Sequence, residues 1–259
     1  MTPVASGCGN VAKVGVVLGD VALASQLGCP TSLFVLDRRT HALSRTGAVP
    51  GLATPTTRHP RVLERWGDAL VIGGYPRHLE IVRANAALEL EVPVVAASAA
   101  QALWLLDETG LILVIPAGGG PELRQQIAGA VDLAATGDGV VVAGGRTVTA
   151  LDADGGVRWT WDGPGELTRI DATDERVVVG DVDGRVHLLG ADGTLRATAR
   201  GHERRVAEVR VVDDVAYTAS WDGTIRRWGL AAVDVPIEAL LAEADAWGLT
   251  VDEVQRMAP

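Results

Sequence analysis

Short apolar strands separated by tight turns recur along this chain at a near-constant interval, and this recurrence constrains the fold most strongly. The turns between the first two strands of each set are Gly19-Asp20, Gly67-Asp68, Ala100-Gln101, Gly137-Asp138, Thr173-Asp174 and Asp213-Asp214. Consecutive turns lie about 33 to 48 residues apart, which brackets the length of a propeller blade. No segment before residue 236 has a sustained helical period. The connections are too short for crossover helices, which excludes parallel βαβ units.

Each turn is followed by a second strand, a loop of small residues and a third strand, most clearly at residues 140–151 and 177–189. Asp154-Gly155 and Asp192-Gly193 are typical of hairpin turns into a fourth strand. The six sets cover roughly residues 11–50, 60–92, 94–128, 130–163, 166–200 and 204–230. The sequence therefore predicts an all-β fold, a six-bladed β-propeller of four-stranded antiparallel blades over residues 1–235.

The two ends of the chain complete this prediction. The last set lacks an obvious fourth strand, and we expect residues 2–6 to supply it and close the ring, because pairing protects exposed strand edges. Residues 236–259 are predicted to form a short helical extension that packs either on the propeller or on a partner. One face of its first helix carries apolar residues at helical spacing, namely Ile237, Leu240, Leu241, Ala244 and Trp247. The proline-rich stretch 47–60 is either a tolerated surface insertion or a binding loop.

Composition narrows the functional classes. A net charge of −10 argues against a nucleic-acid partner, because phosphate contacts require a basic surface. No apolar stretch is long enough to span a bilayer, so we expect no membrane partner and a cytoplasmic location. Cys8 and Cys29 form neither a Cys-x-x-Cys pair nor a metal-ligand cluster, so a disulfide scaffold is not expected.

Residues 201–229 contain a recognisable motif. Gly201-His202 precedes the first strand, Ser220-x-Asp222-x-Thr224 spans the turn between the second and third strands, and Trp228 ends the third. This segment resembles the WD40-repeat family, whereas residues 130–200 are more similar to the repeats of quinoprotein-like propellers. The WD40 resemblance implies a buried, structural hydrogen-bonded tetrad, consisting of His202, Ser220, Asp222 and Trp228.

Two residues of this segment depart from the family pattern. Gly229 follows Trp228 where the family usually has aspartate, and Arg227 occupies a position where it prefers an apolar residue. The second departure calls into question how that side of the blade packs.

The sequence contains no recognisable catalytic or cofactor motif. It has no nucleophile elbow, no phosphate-binding loop and no histidine pair at metal-ligand spacing. Residues 152–155 and 181–184 resemble the start of calcium-binding loops, but neither is followed by the bidentate glutamate at loop position twelve. Asp-Gly turns therefore explain them better. The predicted inner strands, such as 97–99 and 131–134, offer few titratable groups. We therefore expect no enzyme activity, no cofactor and no bound metal.

The predicted loops offer a surface for binding instead. In a propeller of this kind, the loops between second and third strands and those between blades gather on one face. Residue types that are enriched at binding hot spots occur in these loops, namely Tyr75, Arg77, Arg146, Arg204, Arg205 and Trp221. Acidic residues are predicted to share this rim, namely Glu108, Asp181 and Asp183.

Three functional hypotheses follow. The leading one is a non-catalytic interaction scaffold that binds a protein or peptide on the loop-bearing face. The second is a small-molecule site, or an enzyme, in the central channel. The third is a structural or sensor subunit that the C-terminal helices attach to a larger complex.

Overall fold

The computed structural model describes residues 12–18, 21–26, 32–37, 42–46, 60–74, 78–83 and 87–230. Within them, six antiparallel sheets follow one another along the chain, five with four strands and one with three. Sheet 1 contains β1 (Ala12–Leu18), β2 (Val21–Gln26), β3 (Ser32–Asp37) and β4 (Ala42–Thr46). Sheet 2 contains β5 (Pro60–Trp66), β6 (Ala69–Gly74), β7 (His78–Val82) and β8 (Ala87–Leu90). Sheet 3 contains β9 (Val94–Ala99), β10 (Leu103–Asp107), β11 (Leu111–Ile115) and β12 (Glu122–Gln126).

The remaining three sheets continue the same order. Sheet 4 contains β13 (Ala130–Thr136), β14 (Gly139–Gly144), β15 (Thr147–Asp152) and β16 (Val157–Asp162). Sheet 5 contains β17 (Leu167–Ala172), β18 (Arg176–Asp181), β19 (Arg185–Gly190) and β20 (Leu195–Arg200). Sheet 6 contains β21 (Val206–Val212), β22 (Val215–Ser220) and β23 (Ile225–Gly229). Each strand pairs with its neighbour in sequence, so every sheet is a simple meander.

Local sequence explains why these segments form hairpins. Runs such as Val140-Val141-Val142 favour extended backbone, because β-branched side chains fit a pleated sheet. The turn between β5 and β6 needs a residue at positive φ, which Gly67 supplies without strain. Asp213 adopts the same left-handed region between β21 and β22, where aspartate is tolerated better than most residues.

The first strands of the sheets lie around a common axis. In turn, β5 packs on β9, β9 on β13, β13 on β17 and β17 on β21, and β1 packs on β5. The core lies between successive sheets as separate apolar layers. This stacking of sheets around an axis is the architecture of a β-propeller.

We call the side of each sheet that packs on the next sheet its forward face. For sheet 4 this face includes Val141 and Val148, which lie against Leu167 and Val177 of sheet 5. For sheet 5 it includes Val178 and Leu188, which lie against Val209 of sheet 6. The layers contain mainly valine, leucine, isoleucine and alanine, as the low aromatic content requires.

The all-β prediction is confirmed, and each sheet lies within one of the six predicted sets. The described residues contain no helix, and none of their segments could cross a membrane as a helix. In sheet 6 no described strand pairs with the outer edge of β23. The segments predicted to complete the ring and to form helices, residues 2–6 and 236–259, lie outside the described residues, as do residues 47–59.

Candidate functional site

A chain of side-chain hydrogen bonds crosses sheet 6 from its outer strand to its entry loop. The indole Nε1–H of Trp228 on β23 donates to Thr218 Oγ1 on β22 at 2.8 Å. Thr218 Oγ1 in turn lies 2.7 Å from Nε2 of His202, which precedes β21. Thr218 and His202 are buried, so these bonds form away from water. Three segments that are distant in sequence are thereby held in one arrangement.

Asp222 ends this chain in the turn between β22 and β23. Its Oδ2 lies 3.2 Å from His202 Nδ1 and accepts the backbone N–H of Glu203 at 2.9 Å. Its Oδ1 accepts the backbone N–H of Thr224 at 2.8 Å and the Thr224 hydroxyl at 2.6 Å. The hydroxyl of Thr224, with the backbone and histidine bonds, holds the pKa of Asp222 below its ordinary value.

One tautomer of His202 satisfies every member of the chain. Trp228 donates to Thr218, the Thr218 hydroxyl donates to Nε2, and Nδ1–H faces two acceptors, Thr224 Oγ1 at 3.0 Å and Asp222 Oδ2 at 3.2 Å. In this order no buried donor or acceptor of the four groups is left without a partner. The four side chains therefore act as a rigid brace under the loop-bearing end of sheet 6.

The hydroxyl of this chain belongs to Thr218 rather than to the predicted Ser220. Ser220 Oγ instead donates to the backbone oxygen of Arg204 at 2.9 Å and accepts the backbone N–H of Asp222 at 3.1 Å. Both hydroxyls lie on the same face of β22, because side chains alternate along a strand. Ser220 is two residues nearer the loop, beyond the reach of Trp228. It fastens the entry loop to the turn and so still contributes to the same brace.

Close packing beneath the indole explains the glycine of the Gly201-His202 pair. A Cβ built on Gly201 would lie 2.4 Å from Cη2 of Trp228, closer than carbon atoms can approach. Any side chain at residue 201 would therefore push the indole away from Thr218.

Sheet 5 contains a second buried chain of polar side chains, which was not predicted from the sequence. His187 on β19 places Nε2 3.3 Å from Asp181 Oδ2 and Nδ1 3.0 Å from the hydroxyl of Thr198. The Trp161 ring of sheet 4 lies 5.3 Å from the imidazole, and Arg185 Nη1 lies 3.3 Å from the same Asp181 oxygen. Burial lowers the pKa of His187, although Asp181 acts in the opposite direction.

This arrangement corrects the prediction that Asp181 lies on the exposed rim. Asp181 is buried, and its Oδ1 accepts the backbone N–H groups of Asp183 and Arg185 at 2.9 and 2.8 Å. A carboxylate that caps its own turn is consistent with an Asp-Gly turn rather than a calcium loop. The spacing of Asp181 and His187 across the second and third strands was the signal that could have revealed the pair.

Three of the predicted partner-binding residues lie together beside the brace. The Arg205 guanidinium lies 5.4 Å from the centre of the Trp221 ring, within the range of a cation–π contact. The backbone N–H of Trp221 donates to the backbone oxygen of Arg205 at 3.1 Å, so the two loops are joined. Trp221 is 67% exposed, and neighbouring Arg204 is exposed as well. We call Arg204, Arg205 and Trp221 the rim cluster.

The other predicted binding residues do not join this cluster. Arg146, in the turn between β14 and β15, donates from Nε and Nη2 to the backbone oxygen of Gly163 at 3.1 and 2.9 Å. Its guanidinium therefore braces the entry to sheet 5. Tyr75 and Arg77 lie outside the described residues.

Charged side chains converge on the axis, contrary to the expectation that inner strands offer few. They lie on β5, β13, β17 and β21, and they are Glu64, Asp132, Arg169, Asp171, Glu208 and Arg210. Arg210 lies 3.3 Å from Glu208 and 3.9 Å from Asp171, and Arg169 lies 3.6 Å from Glu208. We call these six residues the axial cluster. It places four carboxylates beside two guanidinium groups.

Burial raises the pKa of three axial carboxylates, Glu64, Asp132 and Asp171. It raises the pKa of Glu64 to about 7, although Arg210 acts in the opposite direction. Burial likewise raises the pKa of Asp132 to about 6, against the effect of Arg169, and it raises the pKa of Asp171. Desolvation penalises the charged form, and two guanidinium groups do not fully compensate four carboxylates.

Two of these carboxylates also join neighbouring sheets. Asp132 Oδ2 accepts the backbone N–H of Ile170 at 3.1 Å, and Asp171 Oδ2 accepts that of Val211 at 2.8 Å. Both donors belong to the first strand of the following sheet. The axial cluster thus has a structural role besides any ligand that it could bind.

The opposite end of the strands carries an open depression of about 450 Å³. Several of its charged side chains have partners: Arg176 pairs with Asp214, Arg196 lies 3.7 Å from Asp192, and Asp174 accepts the backbone N–H of Gly137 at 2.6 Å. In the described part of the chain, no three histidine, cysteine or carboxylate side chains are placed to hold a metal ion.

Comparison with known proteins supports the fold. No protein-family model matches the chain, and no curated protein sequence matches it. The WD40 β-propeller domain of Doa1 matches with a TM-score of 0.69 and 15% identity, over 88% of this chain and 82% of that domain. BamB from Moraxella catarrhalis matches with a TM-score of 0.62 and 18% identity, over 85% of this chain and 86% of BamB.

A designed protein is also similar in structure. The computationally designed Ika8 protein matches with a TM-score of 0.64 and 16% identity, over 83% of this chain and 70% of Ika8. At such identities the likeness shows the fold alone. The chain has a β-propeller fold.

Proposed function

We propose that this chain is a non-catalytic, six-bladed propeller scaffold that binds a protein or peptide through the rim cluster. The observation that carries the proposal is an exposed tryptophan held beside an arginine on a rigid support. Tryptophan and arginine are enriched at binding hot spots, where one truncation costs about 2 kcal/mol or more. A brace that fixes both loops reduces the conformational entropy lost on binding.

The chemistry of the rim cluster favours a segment with a carboxylate next to an apolar or aromatic side chain. Arg204 and Arg205 supply planar donors for the carboxylate, and the exposed indole of Trp221 supplies an apolar surface. The Asp222 carboxylate is already occupied by its hydrogen bonds with His202 and Thr224 and does not compete for the arginines. We place this interaction in the cytoplasm, as the sequence suggests.

A displayed library of random peptides tests the proposal directly. Peptides selected on the unaltered chain are then measured against the double variant Arg205→Ala, Trp221→Ala. Arg196→Ala is the matched control, because Arg196 is an exposed arginine that lines the depression at the opposite end of the strands. We expect binding to weaken at least about 30-fold in the double variant and to stay unchanged in the control. Equal binding by all three proteins would reject the rim cluster as the site.

The axial cluster favours a second candidate, a small-molecule site in the central channel. Four carboxylates beside two arginines leave an excess of negative charge that a cationic ligand would neutralise. A panel of diamines and basic amino acids, tested by shifts in melting temperature, distinguishes the two candidates. A stabilising compound whose effect disappears in Asp132→Asn but persists in Trp221→Ala would favour the channel. The absence of any shift would leave the rim cluster as the functional site.

A further inference from the structure

The forward face of sheet 6 differs from that of every other sheet whose side chains are described. Four positions on the second and third strands form the centre of each forward face, and in sheets 2 to 5 all four are apolar or glycine and buried. In sheets 2 and 3 they are Val71, Gly73, Leu79 and Ile81, and Trp104, Leu106, Ile112 and Val114. In sheets 4 and 5 they are Val141, Ala143, Val148 and Ala150, and Val178, Gly180, Val186 and Leu188.

The same register in sheet 6 gives Tyr217, Ala219, Ile225 and Arg227. Ile225 is 77% exposed and Tyr217 is 41% exposed, whereas their counterparts in the other sheets are buried. Arg227 is exposed and places a charge where the other four sheets have Ile81, Val114, Ala150 and Leu188. This face is therefore apolar at its centre and basic at one side. A sheet packed like its neighbours would bury that arginine.

The rest of the chain begins at this sheet. Leu230, which follows β23, is buried, and its backbone N–H donates to the backbone oxygen of Asp214 at 2.8 Å. The exit of the chain is thus fastened to sheet 6, and 29 residues follow it. A tethered segment has a high effective concentration at a nearby surface, so even a weak complementary contact is populated.

The chemistry of that segment complements the open face. The five apolar residues from Ile237 to Trp247 share one side of the predicted helix, which matches the exposed Ile225 and Tyr217. Residues 236–248 contain three carboxylates and no lysine or arginine, whereas the forward face of sheet 6 carries the exposed Arg227. The apolar residues and the charge of this segment thus both complement the forward face of sheet 6.

We propose that residues 236–248 dock as an amphipathic helix on the forward face of sheet 6, with their apolar side over Ile225 and Tyr217. The acidic side of the helix then lies toward Arg227. This contact fills the seam between the last and first sheets and leaves the rim cluster free, so it is independent of the proposed peptide binding.

A double-mutant cycle in the full chain tests the contact. Ile225→Asp changes the face, Leu241→Asp changes the helix, and the equilibrium constant of unfolding in urea is measured for both and for the combination. Leu195→Asp is the matched control, because Leu195 is an exposed leucine on the outer strand of sheet 5. We expect each single change to raise the equilibrium constant of unfolding about tenfold. The second change should add less than about threefold to the first, because the effects of substitutions at residues in contact are not additive. Leu195→Asp should combine additively with Leu241→Asp.

Each other occupant predicts a different result. Full additivity of Ile225→Asp and Leu241→Asp would overturn the proposal. A large effect of Ile225→Asp with none of Leu241→Asp would assign the face to sheet 1. Loss of a dimer in sedimentation would assign it to a second copy of the chain. If an aspartate variant fails to fold, hydrogen exchange of residues 217–229 in the milder Leu241→Ser variant decides, because an undocked helix predicts at least about fivefold faster exchange.

Discussion

Replacing Thr218 by valine tests whether the brace of sheet 6 depends on a single hydroxyl. Valine keeps the shape of threonine but removes the oxygen that lies 2.8 Å from the Trp228 indole nitrogen and 2.7 Å from His202 Nε2. Both groups then lose their partner, and the imidazole has no access to water. An unsatisfied buried polar group costs about 1–3 kcal/mol. With two groups affected, we expect unfolding to become easier by about 2–4 kcal/mol.

Urea unfolding measures this loss as a shift in the midpoint at constant slope. Thr218→Ser keeps the hydroxyl and removes only a methyl group, so it should cost about 1 kcal/mol. Ser220→Ala removes a more exposed bond to the Arg204 backbone and should cost about 0.5–1.5 kcal/mol. If Thr218→Val lowers the free energy of unfolding no more than Ser220→Ala or Thr218→Ser does, the brace does not depend on the Thr218 hydroxyl and the reasoning fails.

Four further predictions can be tested. Gly201→Ala should destabilise the fold by about 1–3 kcal/mol in urea unfolding, because the added Cβ would collide with the indole of Trp228. Burial lowers the pKa of His187 from 6.5 in the folded chain. On acidification the unfolded chain therefore takes up this proton at a higher pH than the folded chain does, and the free energy of unfolding should decrease as pH falls below about 6.5. His187→Gln should remove that part of the pH dependence. Burial raises the pKa of Glu64 from 4.5 to about 7, so the folded chain holds the extra proton and Glu64 should destabilise the fold increasingly as pH rises through this range. Glu64→Gln should remove the contribution of Glu64 to this slope and leave that of Asp132 and Asp171, and an unchanged pH profile would contradict the assignment. Deleting residues 1–7 should lower the melting temperature if they complete sheet 6, and an unchanged melting curve would exclude this role.

The sheets were predictable because their information is local. A run such as residues 140–142 favours a strand through its own side chains, and Asp-Gly turns favour hairpins without reference to the rest of the chain. The order of strands in every sheet follows from these two signals, since each strand pairs with its neighbour in sequence. The meander needs no long-range information.

The side chains that meet within a sheet were less predictable. Thr218 and Ser220 are both hydroxyls on one face of β22, and sequence spacing alone does not say which of them lies beside Trp228. The strand register distinguishes them. Thr218 pairs with Arg226, which lies two residues before Trp228 on the same face of β23, whereas Ser220 is at the end of β22. A displacement of two residues keeps the face and changes the partner, so the structure connects Trp228 and His202 through Thr218 instead of Ser220.

The axial cluster shows a second limit. Glu64, Asp132, Asp171 and Arg210 follow one another at intervals of 68, 39 and 39 residues and converge only because four first strands share one axis. Each residue alone is an ordinary charged position in an alternating strand. Their proximity becomes visible once the first strands are aligned by register, because equal positions on successive blades then fall at equal depth along the axis.

Arg227 connects what the sequence shows with what the structure shows. The sequence marks it as a charge where a blade of this kind prefers an apolar residue, and the register places it on the forward face of sheet 6. At the same position in sheets 2 to 5 an arginine would be enclosed between two apolar layers without water, at a cost of several kcal/mol. Such a residue is tolerated only where the next sheet does not seal the face. The departure of Arg227 and the exposure of Ile225 both fit the proposed docking of residues 236–248, which would cover the apolar centre of this face and place the acidic side of the helix beside the arginine.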